Sequence, residues 1–198
     1  MPAVVRLILG ALTLFAIGRQ LAIHLAGGHS LVNFFSYFTN LANLLAAGML
    51  LRMATLASAG RQPSPGEQRL RAMAVVYMTV VGVVFSILLR NVDLGGLLPW
   101  INVLLHYVMP VAIVADWLLE PGLAPSSTRD WLLVPAWPLA YVVYVLIRGA
   151  LVGWYPYPFL DPRLGSYASV ALHVVAIVAL FLLTQWAVAA STRLLRRA

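Results

Sequence analysis

Long apolar runs separated by short polar breaks are the dominant pattern of this chain. A helix needs about 20 mostly apolar residues to cross roughly 30 Å of hydrocarbon. Six segments meet this requirement and are predicted as spans, at about 4–26, 31–55, 70–90, 97–119, 131–151 and 165–190. The runs are too long for membrane strands and lack their period of two. The pattern therefore predicts an all-α integral membrane protein, a bundle of six transmembrane helices.

The breaks between these runs consist of residues that favour turns and loops. They are Gly27-Gly28, the segment 60–66, Gly95-Gly96, Pro121-Gly122 with Pro125-Ser126-Ser127, and the segment 155–162. Because the apolar runs almost touch one another in a chain of 198 residues, we predict a single membrane domain over 1–198.

Composition supports the membrane class and excludes several chemistries. Hydrophobic residues make up 62% of the chain, against roughly 45–50% in soluble domains. There is no cysteine, which excludes disulfides, thiolate catalysis and cysteine-ligated metals. The net charge of +7 comes from arginines that flank the apolar runs instead of forming one basic face, so we expect it to orient the protein in a membrane and not to bind nucleic acid.

The arginines predict which ends of the helices face the cytoplasm. If the N-terminus is cytoplasmic, nine arginines fall on the cytoplasmic side: Arg6, Arg52, Arg61, Arg69, Arg71, Arg129, Arg193, Arg196 and Arg197. Four fall in or near the outer half: Arg19, Arg90, Arg148 and Arg163. Basic residues are enriched on the cytoplasmic side of membrane proteins, so both termini are predicted to be cytoplasmic.

Two polar clusters interrupt otherwise apolar spans. The first runs from Ser36 to Asn43, and the second consists of Asn102, His106 and Pro110, each four residues apart. Polar side chains inside a membrane are costly and commonly mark a binding or reaction site. Proline removes a helix hydrogen bond, so we expect a kink just beyond His106 that widens the interior.

The predicted topology brings polar residues of several spans to one depth. Thr39, His106 and His173 lie at ~12, ~14 and ~12 Å from the outer ends of spans two, four and six, at 1.5 Å per residue. Spans one and three place further polar groups in the same half: Arg19, Gln20, His24, Ser86 and Arg90. This layer predicts a polar pocket open toward the outer leaflet, with an apolar region below it.

Each polar residue also has a structural interpretation. Thr39 can bond back to a carbonyl of its own helix, and His106 can be a neutral side chain bonded to Asn102 or to a helix carbonyl. His173 is expected to be a structural or pocket partner. Arg19 and Arg90 can extend to the interface or bind a carboxylate. The histidines lack metal-ligand spacing, so neither a metal nor another cofactor is predicted.

Three motifs resemble a known family. They are the stretch 35–40, the pattern Asn102-x-x-x-His106-x-x-x-Pro110, and the stretch 154–161, Trp-Tyr-Pro-Tyr-Pro-Phe-Leu-Asp. They are similar to the androgen-induced membrane hydrolases, which include the androgen-dependent regulator of tissue factor pathway inhibitor. The six-span bacterial branch of that family is more similar still. The resemblance covers nearly the whole chain in order and spacing.

The resemblance implies an intramembrane threonine hydrolase that cleaves fatty acid esters of hydroxy fatty acids. It implies that Thr39 is the nucleophile and His106 its general base, in a multi-pass protein of the bacterial inner membrane. The chain departs from the animal pattern at Asn40, at Asn43, and at Asp161 where that pattern has Glu.

Supporting roles are predicted for the neighbouring polar residues. An amide of Asn40, Asn43 or Asn102 would donate to the developing oxyanion, or Asn102 would orient the imidazole. Ser36, Ser86 and His173 are expected to line the pocket, and Arg90 or Arg19 to bind a free carboxylate. The alternative is a non-enzymatic membrane protein that binds or transports a lipid or small molecule through the same polar layer.

Overall fold

The computed structural model describes residues 1–92, 96–123 and 128–195. In these ranges the chain is helical and contains no strand, which confirms the predicted all-α class. Six helices are long and apolar enough to cross a membrane: Ala3–Ala26, Phe38–Ser58, Pro65–Leu89, Pro99–Leu119, Trp131–Val152 and Tyr167–Leu195. We refer to them as spans one to six. The predicted breaks at Gly95 and 125–127, together with Arg196 and Arg197, lie outside the described residues.

The third span occupies the centre of the bundle. It packs against the second, fourth and sixth spans, while the first span packs mainly on the second and the fifth on the sixth. Its first turn is closed by a capping box, in which Ser64 Oγ accepts from the Glu67 amide and the Glu67 carboxylate accepts from the Ser64 amide. Such reciprocal bonds satisfy two of the amides that a helix start leaves unpaired.

The segment predicted as one span over 31–55 is two helices. A short helix, Leu31–Phe35, ends at Ser36, Tyr37 is extended, and the second span begins at Phe38. The break frees two carbonyl oxygens. Asn40 Nδ2 donates to the carbonyl of Phe34 at 2.8 Å, and the Tyr141 hydroxyl donates to the carbonyl of Ser36 at 2.7 Å. Side chains thus replace the lost helical donors, which a membrane interior requires.

Two π-helical turns face each other in the third and fourth spans, at Phe85–Leu89 and Leu104–Val108. Each widens the helix by one residue, a feature that often accompanies functional sites. Pro110 follows the second π turn, and it packs against Gly82 of span three. A Cβ on Gly82 would lie 3.0 Å from Pro110 Cβ, so the glycine allows this close approach.

The opposite end of the bundle contains a buried ion-pair cluster. Asp116 accepts from Arg6 Nε at 2.7 Å and from Arg71 Nη2 at 2.9 Å, and all three side chains are buried. Arg6 also pairs with Glu120. Asp116, on span four, is thus the anion that joins spans one, three and four.

Candidate active site

A cavity of about 410 Å³ lies where the first four spans meet the loop after span five. We call it the polar chamber. Its polar and aromatic lining comprises Gln20, His24, His29, Asn33, Phe34, Tyr37, Thr39, Asn40, His106, Trp154, Tyr155, Tyr157 and Asp161. Concave sites for small molecules typically have volumes of about 300–1,000 Å³, so the chamber is large enough to bind one.

Thr39 lies in the first turn of span two, directly after the helix break. Its amide therefore has no helical acceptor, and it donates to the Tyr157 hydroxyl at 3.2 Å. The Thr39 Oγ1 atom lies 3.5 Å from the same hydroxyl. The structural interpretation of Thr39 required a bond from its side chain to a carbonyl of its own helix. The side chain instead faces the loop that covers the chamber.

His106 reaches the chamber from the second π turn. Its Nδ1 lies 3.1 Å from the carbonyl oxygen of Asn102. Since a carbonyl only accepts, Nδ1 carries the proton and Nε2 keeps its lone pair. The ring stacks on Phe85, the first residue of the other π turn, with centroids 3.9 Å apart and planes inclined by 18°. The imidazole is thus held in one orientation and one tautomer.

Thr39 and His106 are brought together in the chamber, but they are not in direct contact. Both line the chamber, and no hydrogen bond joins them among the bonds of the described residues. Catalytic hydrogen bonds are often long in the absence of substrate and tighten when it binds. The arrangement therefore provides a hydroxyl and an unengaged imidazole nitrogen on the wall of one cavity.

Thr39 and Tyr157 also border a second, almost wholly apolar cavity. This apolar crevice runs between spans three, five and six and is lined by residues such as Val81, Phe85, Val142, Ile177 and Phe181. The Thr39 and Tyr157 side chains therefore stand between a polar space and an apolar one. An amphiphilic molecule placed across them would have its polar part in the chamber and its chain in the crevice.

The three predicted amide side chains have different positions. Asn40 lines the chamber, although its amide nitrogen also closes the helix break. Asn43 is buried, and its amide nitrogen donates to the carbonyls of Thr39 and Leu105. Both hydrogens are used, so Asn43 has no donor left for an oxyanion. Asn102 does not line the chamber, and its backbone carbonyl, not its side chain, orients His106.

The predicted serines do not line the chamber either. Ser36 donates to the carbonyl of Val32 and contacts the Tyr144 hydroxyl at 2.9 Å. Ser86 donates to the carbonyl of Gly82, one turn earlier. Both hydroxyls therefore belong to the helix framework.

The remaining predicted residues also lie elsewhere. Arg19 and Arg90 are exposed and are not among the described residues that line the chamber. His173 bonds to the carbonyl of Ser169 at 2.8 Å and lines a separate cavity beyond Phe159. His173 was predicted at the same depth as Thr39 and His106, yet it lines a different cavity, because depth does not fix the rotation of a helix about its axis.

Tyr157 is the main site residue that the sequence did not assign. It belongs to the motif over 154–161, which supported the resemblance but received no chemical role. Its ring is fixed between Tyr37 and Phe159, with a centroid distance of 5.2 Å to Phe159 and nearly parallel planes. Burial raises the pKa of the Tyr157 hydroxyl, so it stays protonated and can donate a hydrogen bond.

The loop that covers the chamber is fixed by an ion pair. Arg163 donates to Asp161 through Nε at 2.8 Å, through Nη2 at 2.6 Å and through its amide at 2.9 Å. The Arg163 guanidinium lowers the pKa of the Asp161 carboxyl. The same guanidinium reaches the carbonyl of Gly153 at 2.8 Å, so one side chain closes the loop across ten residues.

Comparisons with known proteins do not identify the chain. No family model, curated protein or solved structure matches it. The resemblance in the three motifs stays a prediction, and function has to be argued from the geometry of the chamber.

Proposed function

We propose that the protein is an intramembrane hydrolase of lipid esters, with Thr39 as nucleophile and His106 as general base. The observation that carries the proposal is that both side chains line one chamber, with no hydrogen bond to His106 Nε2 among the described residues. A threonine hydroxyl is a weak nucleophile and requires such a base. The motif resemblance to membrane threonine hydrolases supports the same assignment.

The proposed reaction has two steps with one covalent intermediate. In the first, Nε2 of His106 removes the proton of Thr39 Oγ1, which attacks the ester carbonyl. The tetrahedral intermediate then releases the alcohol, protonated by His106, and leaves an acyl-threonine. In the second, His106 takes a proton from water, which attacks the acyl carbon. The fatty acid leaves, and the proton returns to Thr39.

Tyr157 is the proposed donor to the oxyanion. Its oxygen accepts from the Thr39 amide, and its own O–H would donate to the substrate carbonyl. A donor fixed in advance where charge develops stabilises the transition state strongly. The hydrogen of the Thr39 amide is used in the bond to Tyr157, so it holds this donor beside the nucleophile. The amide is available for that bond because the helix break exposes the first turn of span two.

The two cavities divide the proposed substrate. The acyl chain lies in the apolar crevice, the ester carbonyl at Thr39 and Tyr157, and the alcohol portion in the polar chamber. Because Thr39 and Tyr157 border both cavities, the ester bond falls beside the nucleophile. A fatty-acyl ester drawn from the membrane meets these requirements.

The orientation is also a proposal. With both termini cytoplasmic, as the arginine distribution favours, the chamber opens to the outer face of a bacterial inner membrane. The absence of cysteine allows a direct test with single cysteines at Gln62 and Ser166. An impermeant maleimide should label Ser166→Cys in intact spheroplasts and Gln62→Cys only after lysis. The reverse pattern would refute the orientation.

Covalent labelling tests the nucleophile. A fluorophosphonate probe should label the wild-type protein, and Thr39→Ala should lose the label. Thr39→Ser should keep it, because the hydroxyl remains. Thr79→Ala is a matched control, since the Thr79 hydroxyl only bonds back to Val75. Equal labelling of the wild type and Thr39→Ala would refute the proposal and favour a lipid-binding or transport protein.

A further inference from the structure

We propose that the alcohol portion of the substrate is a neutral polyol, such as the glycerol of a monoacylglycerol. The inference rests on the proposed function and concerns what the polar chamber binds. Its polar wall consists of amides, imidazoles and aromatic hydroxyls, contributed by Gln20, His24, His29, Asn33, Tyr37 and Asn40. Such groups both donate and accept hydrogen bonds, as the hydroxyls of a polyol do.

In the described part of the chain, no arginine lines the chamber to balance an anionic substrate group. Placing a carboxylate where no charge balances it is very costly. An ester whose alcohol portion ends in a free carboxylate is therefore disfavoured.

Two arginines that bond to residues of the lining are already engaged. Arg163 is paired with Asp161, an acidic residue of the lining. Arg148 donates to Asn33 Oδ1 at 2.6 Å, and its guanidinium lies over the Trp154 ring at 5.3 Å. The charge of Asp161 is compensated by Arg163. The guanidinium of Arg148 is bonded to Asn33, and Arg148 itself is not among the described residues that line the chamber. The wall therefore presents neither sign of charge strongly.

Asn33 is the specificity residue that this arrangement points to. Asn33 lines the chamber, and its Oδ1 accepts from Arg148, while no hydrogen bond of its amide nitrogen is found among the described residues. A site built to hydrogen-bond a hydroxyl strongly rejects an analogue that lacks it. Removal of the Asn33 amide should weaken polyol binding and, at the same time, release Arg148 toward the chamber.

A set of three oleoyl esters tests the substrate class in nanodiscs. These are 1-oleoylglycerol, the oleic ester of a hydroxystearic acid, and the methyl ester of that acid. We expect kcat/KM for 1-oleoylglycerol to exceed that for the free acid at least tenfold. Methylation, which removes only the charge, should raise the kcat/KM of the acid severalfold. A free acid that reacts as fast as its methyl ester would overturn the inference.

Asn33→Leu provides the second test. It should lower kcat/KM for 1-oleoylglycerol about tenfold relative to that for ethyl oleate, and raise the relative rate with the free acid. Ser86→Ala, outside the chamber, is the control and should leave all ratios unchanged. Unaltered ratios in Asn33→Leu would also count against the inference.

A binding measurement separates this inference from the proposed function. Thr39→Ala is mixed with the non-hydrolysable ether 1-O-octadecylglycerol or with an anionic analogue in which a carboxymethyl group replaces glycerol. Greater thermal stabilisation by the glyceryl ether would support the polyol chamber even if no ester is hydrolysed. Equal or greater stabilisation by the anionic ether would overturn it. Loss of Thr39-dependent hydrolysis alone would refute only the proposed function.

Discussion

The amide nitrogen of Asn43 donates a hydrogen bond of 3.2 Å to the carbonyl oxygen of Leu105. The backbone explains why this bond is needed. In the π turn, the Met109 amide bonds to the carbonyl of Leu104, and Pro110 has no amide hydrogen. The carbonyl of Leu105 is therefore left without a helical donor. Since Leu105 precedes His106, the bond from Asn43 fixes the turn that carries the proposed base.

Asn43→Leu should destabilise the protein by about 1–2 kcal/mol, the range expected for leaving a buried carbonyl unpaired. The turn that holds His106 would loosen, so we also expect the rate of hydrolysis per folded molecule to fall. Thermal unfolding in detergent and hydrolysis at a temperature well below the transition would measure the two effects.

A double mutant tests this explanation. Pro110→Ala restores an amide hydrogen that can reach the orphan carbonyl of Leu105. In the Pro110→Ala background, the further loss of Asn43 should therefore cost less than it does in the wild type. If the two costs are equal, the Asn43 bond does not compensate for Pro110, and the explanation is wrong.

Tyr157→Phe should lower kcat about 10²–10³-fold, the effect typical of losing one oxyanion donor. The aromatic stack with Phe159 needs no hydroxyl, but the Thr39 amide loses its acceptor, so we expect the free energy of unfolding to fall by about 1–3 kcal/mol. Burst kinetics with a chromogenic oleate ester would locate the effect in formation of the acyl-enzyme. Tyr144→Phe is the control, because its hydroxyl bonds to Ser36 away from the chamber. A large loss of folding in Tyr157→Phe with unchanged kcat per folded molecule would contradict the donor role.

The apolar runs were sufficient to predict the six helices, but not the break within the second. Hydropathy averages over a whole segment, whereas the break depends on individual side chains. It is stabilised by Asn40 nearby and by Tyr141, which lies 105 residues from Ser36 in sequence. A partner so distant cannot be inferred from local spacing. The bond from the Thr39 amide to Tyr157 was therefore missed, and the amide of Asn43 was assigned to a role that its bonds exclude.

The sequence also located Thr39 and His106 without fixing their surroundings. Residue counting predicted both at similar depth in spans that run in the same direction, and both line the chamber. His173 was placed with them by the same argument but lines another cavity. Depth follows from residue counting at 1.5 Å per residue, while rotation depends on packing with neighbouring helices. Of these two quantities, only the depth could be calculated from the sequence.

Gly149→Ala should displace the loop over the chamber. A Cβ at Gly149 would lie 2.1 Å from the ring of Tyr155, so the ring must move, and the loop with it. We expect lower stability and a marked loss of hydrolysis. Gly18→Ala is the matched control, because nothing lies within 4 Å of a Cβ there and alanine favours the helix. Similar behaviour of the two variants would show that the Tyr155 contact does not position the loop.

Asp116→Asn should be the most destabilising of these changes, by about 3–5 kcal/mol, as expected when one partner of a buried ion pair is removed. Arg6 and Arg71 would keep their charges without the anion that balances them. Glu67→Gln removes the partner of Arg52 in a largely exposed pair and should have little effect. The comparison is made by thermal unfolding in detergent, and equal shifts would show that the cluster contributes no more than a surface pair.

Asp161 should make stability depend on pH in the acid range. Its pKa is lowered by Arg163, so the folded state favours the ionised carboxyl. The resulting stabilisation is fully present above the ordinary carboxyl pKa of about 3.9 and is lost as the pH falls through the lowered value. The difference in melting temperature between wild type and Asp161→Asn should therefore be constant from about pH 5 to 7 and shrink below about pH 4. Arg163→Gln should show the same dependence, since it removes the other half of the pair. A difference that stays constant down to about pH 2.5 would mean that the Asp161 charge does not stabilise the loop.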